Sequence, residues 1–186
     1  MPNKDELKAL RENMDKAIAF LQSEYLSIRT GRAHPGLVSE IKVDYYGTPT
    51  PIKQIANVTV PEGRVLQIAP FDKSSLKAME KAILAANIGM TPQNDGTNIR
   101  LTLPELTRER RVELTKLLAK KAEDARVVIR NCRRDTIEML KKQEKASEIT
   151  EDDLKDLTKD VQDITDSYVK KIDEVYKVKE KEVLED

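Results

Sequence analysis

The chain has 186 residues, of which 35% are charged and 4% aromatic, and its 33 basic and 33 acidic side chains cancel. This length allows one domain or two small ones, and no apolar run approaches the ~20 residues that span a bilayer. Neither a signal nor a transit peptide is visible, and a single cysteine excludes an internal disulfide and a cysteine-rich zinc site, so we expect a protein of a reducing, cytoplasmic compartment.

The first predicted helix runs from Asn3 to Gly31. Asn3 and Glu6 have the spacing of a capping box, and Gly31 offers a left-handed C-terminal cap. Apolar side chains recur every three or four residues, with Glu24 as the one interruption, which is typical of a helix with one buried face. That face is predicted at Leu7, Leu10, Met14, Ala17, Leu21 and Ile28.

Residues 31–104 differ in composition from the segments on either side, because they contain seven of the eight prolines and all six glycines. Short apolar stretches bounded by turn residues predict strands at 38–46, 56–60, 64–69 and 98–103. A helix start at Asp72 predicts a short helix to about Asn87, with an apolar face at Leu76, Met79, Ile83 and Leu84. We therefore expect a compact β/α/β insert. The chain crosses between this insert and the helices twice, at neighbouring points, and such a double crossing favours a hinge.

The segment 45–51 combines two tyrosines with a proline-rich bend. One interpretation is a strand end packed on the core of the insert, and the other is an exposed binding loop. We expect at least one of Tyr45 and Tyr46 to pack on the core.

The second long helix is predicted from Glu105 to Ala146, a stretch without Gly or Pro. Its apolar positions follow an eleven-residue repeat, which keeps one face buried along a nearly straight helix. About 42 residues at 1.5 Å each give roughly 60 Å, so the helix must belong to an elongated bundle. The repeating positions are Leu114, Leu118, Ala122, Ala125, Ile129, Cys132, Thr136 and Leu140.

The third helix is predicted to begin at a Thr150 cap, with acidic residues in its first turn. Its apolar residues follow heptad spacing with Lys171 as the one polar member. The predicted seam is Leu154, Leu157, Val161, Ile164, Tyr168, Lys171, Val175 and Val178.

The charges are distributed unevenly along the chain. Residues 105–134 hold ten basic and five acidic side chains, whereas residues 148–186 hold seven basic and fourteen acidic ones. Arg126, Arg130 and Arg133 share one helix face, and forked guanidinium groups suit phosphate. Two interpretations stay open: nucleic-acid contact, or a solvated face whose arginines pair with acids of the third helix. Those acids would be Asp156, Asp160, Asp163 and Asp166.

No catalytic or metal site is predicted. Cys132 lies on the apolar stripe and is expected to be a buried, inert thiol, and His34 reads as a loop residue. The glycine-rich phosphate-binding patterns are missing from the chain. A coiled-coil scaffold without a nucleic-acid role is the main alternative to RNA binding, and an enzyme is the third hypothesis.

Six motifs resemble the ribosome recycling factor family, in order and nearly from end to end. They are IRTGRA at 28–33, DYYGTPTP at 44–51, IANV at 55–58, DG at 95–96 followed by IR at 99–100, LTRERR at 106–111 and RNCRRD at 130–135. The resemblance implies an α+β, L-shaped monomer: an elongated antiparallel three-helix bundle (1–30 and 105–186) with an inserted β/α/β domain (31–104).

The resemblance also implies a function without catalysis, metal or cofactor. Such a factor binds the ribosome after termination and, with elongation factor G and GTP, splits it into subunits, which releases messenger and transfer RNA. Large-subunit ribosomal RNA would be contacted by Arg29, Arg110, Arg111, Arg126, Arg130, Arg133 and Arg134. The hinges would be Thr30, Gly31 and Arg32 on one crossing and Leu103, Pro104 and Glu105 on the other.

Overall fold

A computed structural model describes the backbone of residues 3–185 and the side chains of residues 5–185. The molecule combines a long helical part with a small sheet domain, which confirms the α+β class. Its contacts divide it into two compact units, one of Arg29–Thr107 and the other of the flanking segments up to Ile28 and Arg108–Glu185. The cap predicted at Asn3 lies outside the described side chains.

Three helices form the flanking unit. They are α1 (Asn3–Ser27), α4 (Arg108–Lys145) and α5 (Glu151–Leu184). Contacts of Tyr25 with Leu118 and of Glu6 with Gln143 set α1 antiparallel to α4. Arg111 contacts Val183 and Arg126 contacts Asp173, and this order likewise sets α5 antiparallel to α4. At 1.5 Å per residue, the 38 residues of α4 make a rod about 57 Å long.

The eleven-residue repeat of α4 is confirmed. Its buried residues are Leu114, Leu118, Ala122, Ala125, Ile129, Thr136 and Leu140. Cys132, predicted on the same stripe, is only partly buried, because it lies at the edge of the buried face.

The heptad seam predicted for α5 is wrong in its C-terminal half. Val175 is only partly buried and Val178 is 63% exposed, whereas Ile172 and Val183 are buried. The buried positions Val161, Ile172 and Val183 are eleven residues apart, as on α4. Two nearly straight helices in contact keep the same period, so the seam of α5 follows that of its neighbour.

The end of α1 also differs from the prediction. The helix stops at Ser27, and Gly31 is not among the positive-φ residues, so Gly31 supplies no left-handed cap. The predicted interruption at Glu24 is confirmed, since Glu24 is only partly buried. The adjacent Tyr25 is buried, and its hydroxyl donates to the Leu118 carbonyl at 2.7 Å. This hydrogen bond satisfies the one polar atom of a buried aromatic ring.

The cap predicted for α5 is confirmed as a capping box. The Thr150 hydroxyl accepts from the Asp153 backbone N–H, and the Asp153 carboxylate accepts from the Thr150 N–H. These hydrogen bonds hold the pKa of Asp153 below its ordinary value.

Replacing Thr150 by alanine is expected to lower the free energy of unfolding of the bundle by about 1 kcal/mol, because a helix N–H loses its acceptor. Chemical denaturation followed by the far-ultraviolet helical signal measures this. Thr158→Ala, inside the same helix, is the control and should be neutral or slightly stabilising. Equal losses in both variants would show that the cap contributes nothing.

The insert contains two sheets. A hairpin pairs β1 (Lys42–Tyr45) with β2 (Thr48–Pro51), and a short helix α2 (Ile52–Ile55) follows. A four-stranded antiparallel sheet has the order β3-β4-β6-β5. Its strands are β3 (Ala56–Glu62), β4 (Val65–Pro70), β5 (Pro92–Asn94) and β6 (Ile99–Thr102), with α3 (Leu76–Ala85) between β4 and β5. The core includes Val38, Val43, Ile68, Met79 and Leu101.

Several details of the insert differ from the prediction. Residues 38–41 form a turn after a short 3-10 helix at Pro35–Leu37, so the first strand starts only at Lys42. Strands β2 and β5 and helix α2 were not predicted. Leu84, expected on the apolar face of α3, is more than half exposed, because the face is centred on Leu76, Met79 and Ile83.

Candidate nucleic-acid interface

Helix α4 places its arginines at different depths. The Arg130 and Arg134 side chains are 53% and 64% exposed, whereas that of Arg126 is 24% exposed. Arg126 and Arg133 each lie four residues after one buried residue of the seam and three residues before the next. The aliphatic parts of both side chains therefore border the core. Arg130 has no buried neighbour at these spacings and points further outward.

Carboxylates hold two of these arginines. Glu123 accepts from Arg130 at 2.6 Å and from Arg126 at 3.2 Å, and these hydrogen bonds hold the pKa of Glu123 below its usual range. Arg126 also donates to Asp173 of α5 at 2.6 Å, which raises the pKa of Arg126. Of the two interpretations of the arginine face, ion pairing therefore applies to Arg126 and Arg130.

The partners are not the ones that the sequence suggested. Among the described contacts, none of the four aspartates named above pairs with an arginine of α4. Glu123 and Asp173 were missed, although Glu123 precedes Arg126 by three residues and Arg130 by seven. That helical spacing was the available signal.

Arg133 differs from its neighbours. Its Nε atom is buried and has no hydrogen-bond partner in the described part of the chain, while its side chain as a whole is partly exposed. A buried donor without an acceptor is costly. Within residues 5–185, Arg134 pairs with Asp135 at a long distance of 3.9 Å.

The other arginines with a predicted role, Arg29, Arg110 and Arg111, lie near the end of α1 or the start of α4. Arg110 pairs with Glu113, and Arg111 donates to the carbonyls of Val183 and Leu184. Those carbonyls belong to the last turn of α5, where helix acceptors lack intrahelical partners. Arg29 donates to the Ile88 carbonyl inside the insert.

Three of the predicted hinge residues, Thr30, Leu103 and Glu105, are buried or bonded within the insert. Thr30 and Leu103 are buried, and the Leu103 N–H donates to the Arg64 carbonyl. Glu105 pairs with Arg64 at 2.9 Å. Thr30, Gly31, Leu103 and Pro104 also line a small cavity of about 150 Å³.

His34 and Cys132 are the two other residues that the sequence singled out. The His34 Nδ1 accepts from the Gly36 N–H, which fits a loop residue, and desolvation raises the pKa of the Cys132 thiol. Within the described residues, no group of three or more His, Cys, Asp or Glu side chains could hold a metal ion. None of the helices in that same range is long and apolar enough to cross a membrane.

Comparisons with known proteins point in one direction. A family model described as ribosome recycling factor matches residues 21–184. A ribosome-recycling factor of Geobacillus kaustophilus is 54% identical over 182 residues, with 98% of each chain covered. One from Bacillus cereus (strain AH187) is 52% identical over 179 residues, with 96% of this chain and 97% of the relative covered.

Solved structures agree with the sequence relatives. A solution structure of the ribosome recycling factor has a TM-score of 0.78 and 40% identity, covering 100% of this chain and 99% of that one. A second match comes from models of the T. thermophilus ribosome recycling factor and E. coli elongation factor G bound to the E. coli post-termination complex. Its TM-score is 0.67 at 39% identity, with 99% and 100% covered.

Proposed function

Because this chain belongs to the ribosome recycling factor family, we propose that it binds the ribosome after termination and, with elongation factor G and GTP, separates its subunits. Messenger and transfer RNA are released in consequence. The role is mechanical: this chain works as a cytoplasmic monomer, without a cofactor, and the elongation factor hydrolyses the GTP.

The outward arginines of α4 carry the proposal. Arg130 and Arg134 lie on one face of a rod about 57 Å long, and both are more than half exposed. Guanidinium groups on a rigid helix can meet successive phosphates of large-subunit ribosomal RNA without reading its sequence. Arg133 lies beside them on the same face, and a phosphate is an acceptor that suits its partly exposed guanidinium.

The other predicted arginines take supporting roles in this proposal. Arg126 orients Glu123 and so sets the position of Arg130. Arg111 fastens the end of α5 to the start of α4, and Arg110 pairs with Glu113 in the first turns of the same helix. Arg29 anchors the first crossing to the insert. Its contact with RNA would use the guanidinium N–H groups that do not donate to the Ile88 carbonyl.

The hinge is proposed on the bundle side of the predicted residues. Thr30, Leu103 and Glu105 are tied into the insert by burial, a backbone hydrogen bond and an ion pair. The chain passes from one compact unit to the other at 28–29 and at 107–108, so the bend is proposed at these two boundaries. The insert would then move as one piece when the elongation factor pushes it.

Replacing Glu123 by glutamine is expected to tighten ribosome binding about threefold at low salt. Arg130 and Arg126 would no longer share an anionic partner that competes with phosphate. Binding to ribosomes at several salt concentrations measures this. Glu144→Gln, the same charge change elsewhere on α4, is the control, and weaker binding of Glu123→Gln than of this control would contradict the role given to Arg130.

The function itself is tested by splitting post-termination ribosomes. Subunits should separate when this protein, elongation factor G and GTP are all present, and should stay together when any one is omitted. Association with ribosomes without splitting would show that the protein binds ribosomes but has a different role. No association at any salt concentration would favour the scaffold hypothesis.

A further inference from the structure

Two aromatic side chains of the insert are exposed to solvent. Tyr46 is 77% exposed and Phe71 is 71% exposed, in a chain with only 4% aromatic residues. The Tyr46 hydroxyl donates to the Asp72 carboxylate at 2.7 Å, and Asp72 directly follows Phe71. This hydrogen bond brings the two aromatic positions to the same region of the insert.

The backbone at Tyr46 is unusual. Tyr46 and Gly47 form the two-residue loop between β1 and β2, with φ values of +50° and +81°. Such a loop favours Asn or Asp at its first position, because a bulky side chain is strained at positive φ. The sequence therefore has a tyrosine where a smaller polar residue would suit the turn better, and strain of this kind often marks a functional residue.

Hydrogen bonds fix the tyrosine before any partner arrives. Asp44 accepts from the Gly47 N–H at 2.9 Å, and Asp72 accepts from both the Tyr46 hydroxyl and the Ser74 N–H. The rings of Tyr45 and Tyr46 meet edge to face with their centroids 4.7 Å apart. A side chain that is already ordered loses little conformational entropy on binding.

We propose that Tyr46 and Phe71 anchor the insert to a protein partner, whose matching surface is an apolar pocket edged by basic side chains. The identity of that partner rests on the proposed function, under which it is the elongation factor. Exposed aromatic residues at the centre of an interface supply much of its binding energy. The carboxylates of Asp44 and Asp72 beside them call for positive charge on the other side.

RNA is the weaker candidate for the same surface. Bases do stack on exposed aromatic rings, but RNA-binding surfaces pair such rings with cationic grooves. Here two carboxylates hold the turn and the helix start, and Lys73 is the cation next to them in the sequence. The hydrogen bond from Tyr46 lowers the pKa of Asp72, so this carboxylate is ionised at neutral pH and repels phosphate.

The test uses Tyr46→Asn and Phe71→Ala in the full chain. Each is expected to raise at least tenfold the concentration of elongation factor G that gives half-maximal subunit splitting. Ribosome binding without the elongation factor should stay within twofold. Tyr46→Asn should also melt no lower than the unmodified protein, because asparagine fits the turn.

Two further variants sharpen the result. Tyr46→Phe keeps the ring and removes only the hydroxyl, so it should stay much closer to the unmodified protein than Tyr46→Asn. Leu84→Ala removes another exposed apolar side chain of the insert and should change nothing. Phe71 is 71% exposed, so its replacement removes little buried surface and should leave folding intact.

Each other outcome overturns the proposal. If both variants split ribosomes at the normal concentration of elongation factor G, the anchors are wrong while the proposed function stands. If they weaken ribosome binding without that factor, the surface contacts RNA. If the unmodified protein splits no ribosomes, the proposed function is wrong, and the elongation factor is then not the partner of this surface.

Discussion

Replacing Leu118 by alanine is expected to lower the free energy of unfolding of the helical bundle by about 3 kcal/mol. Leu118 is fully buried in the seam of α4, and its carbonyl accepts from the Tyr25 hydroxyl of α1. Truncation removes buried apolar surface and leaves a cavity between straight helices that cannot easily collapse. Chemical denaturation followed by the helical signal measures the loss.

The adjacent residue provides the control for this variant. Leu117 has the same side chain on the same turn but is partly exposed, so Leu117→Ala should cost less than about 1 kcal/mol. Similar losses in the two variants would mean that the eleven-residue seam does not hold the bundle together.

Replacing both Arg130 and Arg134 by alanine is expected to weaken ribosome binding on the order of 100-fold. Each replacement removes one charge-assisted contact with phosphate, worth about 1.5 kcal/mol. The melting temperature should hardly change, because both side chains are more than half exposed and their ion pairs are at the surface. Binding of purified ribosomes at fixed salt measures the loss.

Lys116 and Lys120 supply the matched control. They lie on the same helix with the same spacing of four residues, and both are exposed. Lys116→Ala with Lys120→Ala removes the same charge from another side of the helix and should weaken binding far less. An equal effect of the two double variants would show that only the net charge of the helix matters.

Most of the bundle could be predicted from local patterns. The seam of α4 and the Thr150 cap depend on residues that are close in sequence, so the spacing alone identifies them. The seam of α5 could not be chosen this way, because Val175 and Val178 fit a heptad as well as Ile172 and Val183 fit an eleven-residue repeat. The neighbouring helix decides between the two.

The insert was harder because β2 and β5 are short strands made only of proline and polar residues. The sequences TPTP of β2 and PQN of β5 lack the apolar alternation typical of strands. Both strands lie at an edge, where a missing N–H need not cost a ladder bond. Edge position is a property of the assembled sheet, so single-sequence patterns do not reveal it.

The arginine face was visible in the sequence, but the depth of each arginine was not deduced. Arg126 and Arg133 flank the buried Ile129 at helical spacing, which draws their stems toward the core, while Arg130 stays outside. The link from Arg126 to Asp173 joins two helices at a sequence separation of 47 residues, so no local pattern encodes it.

The salt dependence of ribosome binding tests the central claim most directly. If Arg130 and Arg134 meet phosphates, each contact releases counterions, and the slope of log affinity against log salt concentration should become shallower by about 1.5 in the double alanine variant. Removing Lys116 and Lys120 should change the slope far less. An identical slope with and without the two arginines would contradict the claim that they bind ribosomal RNA.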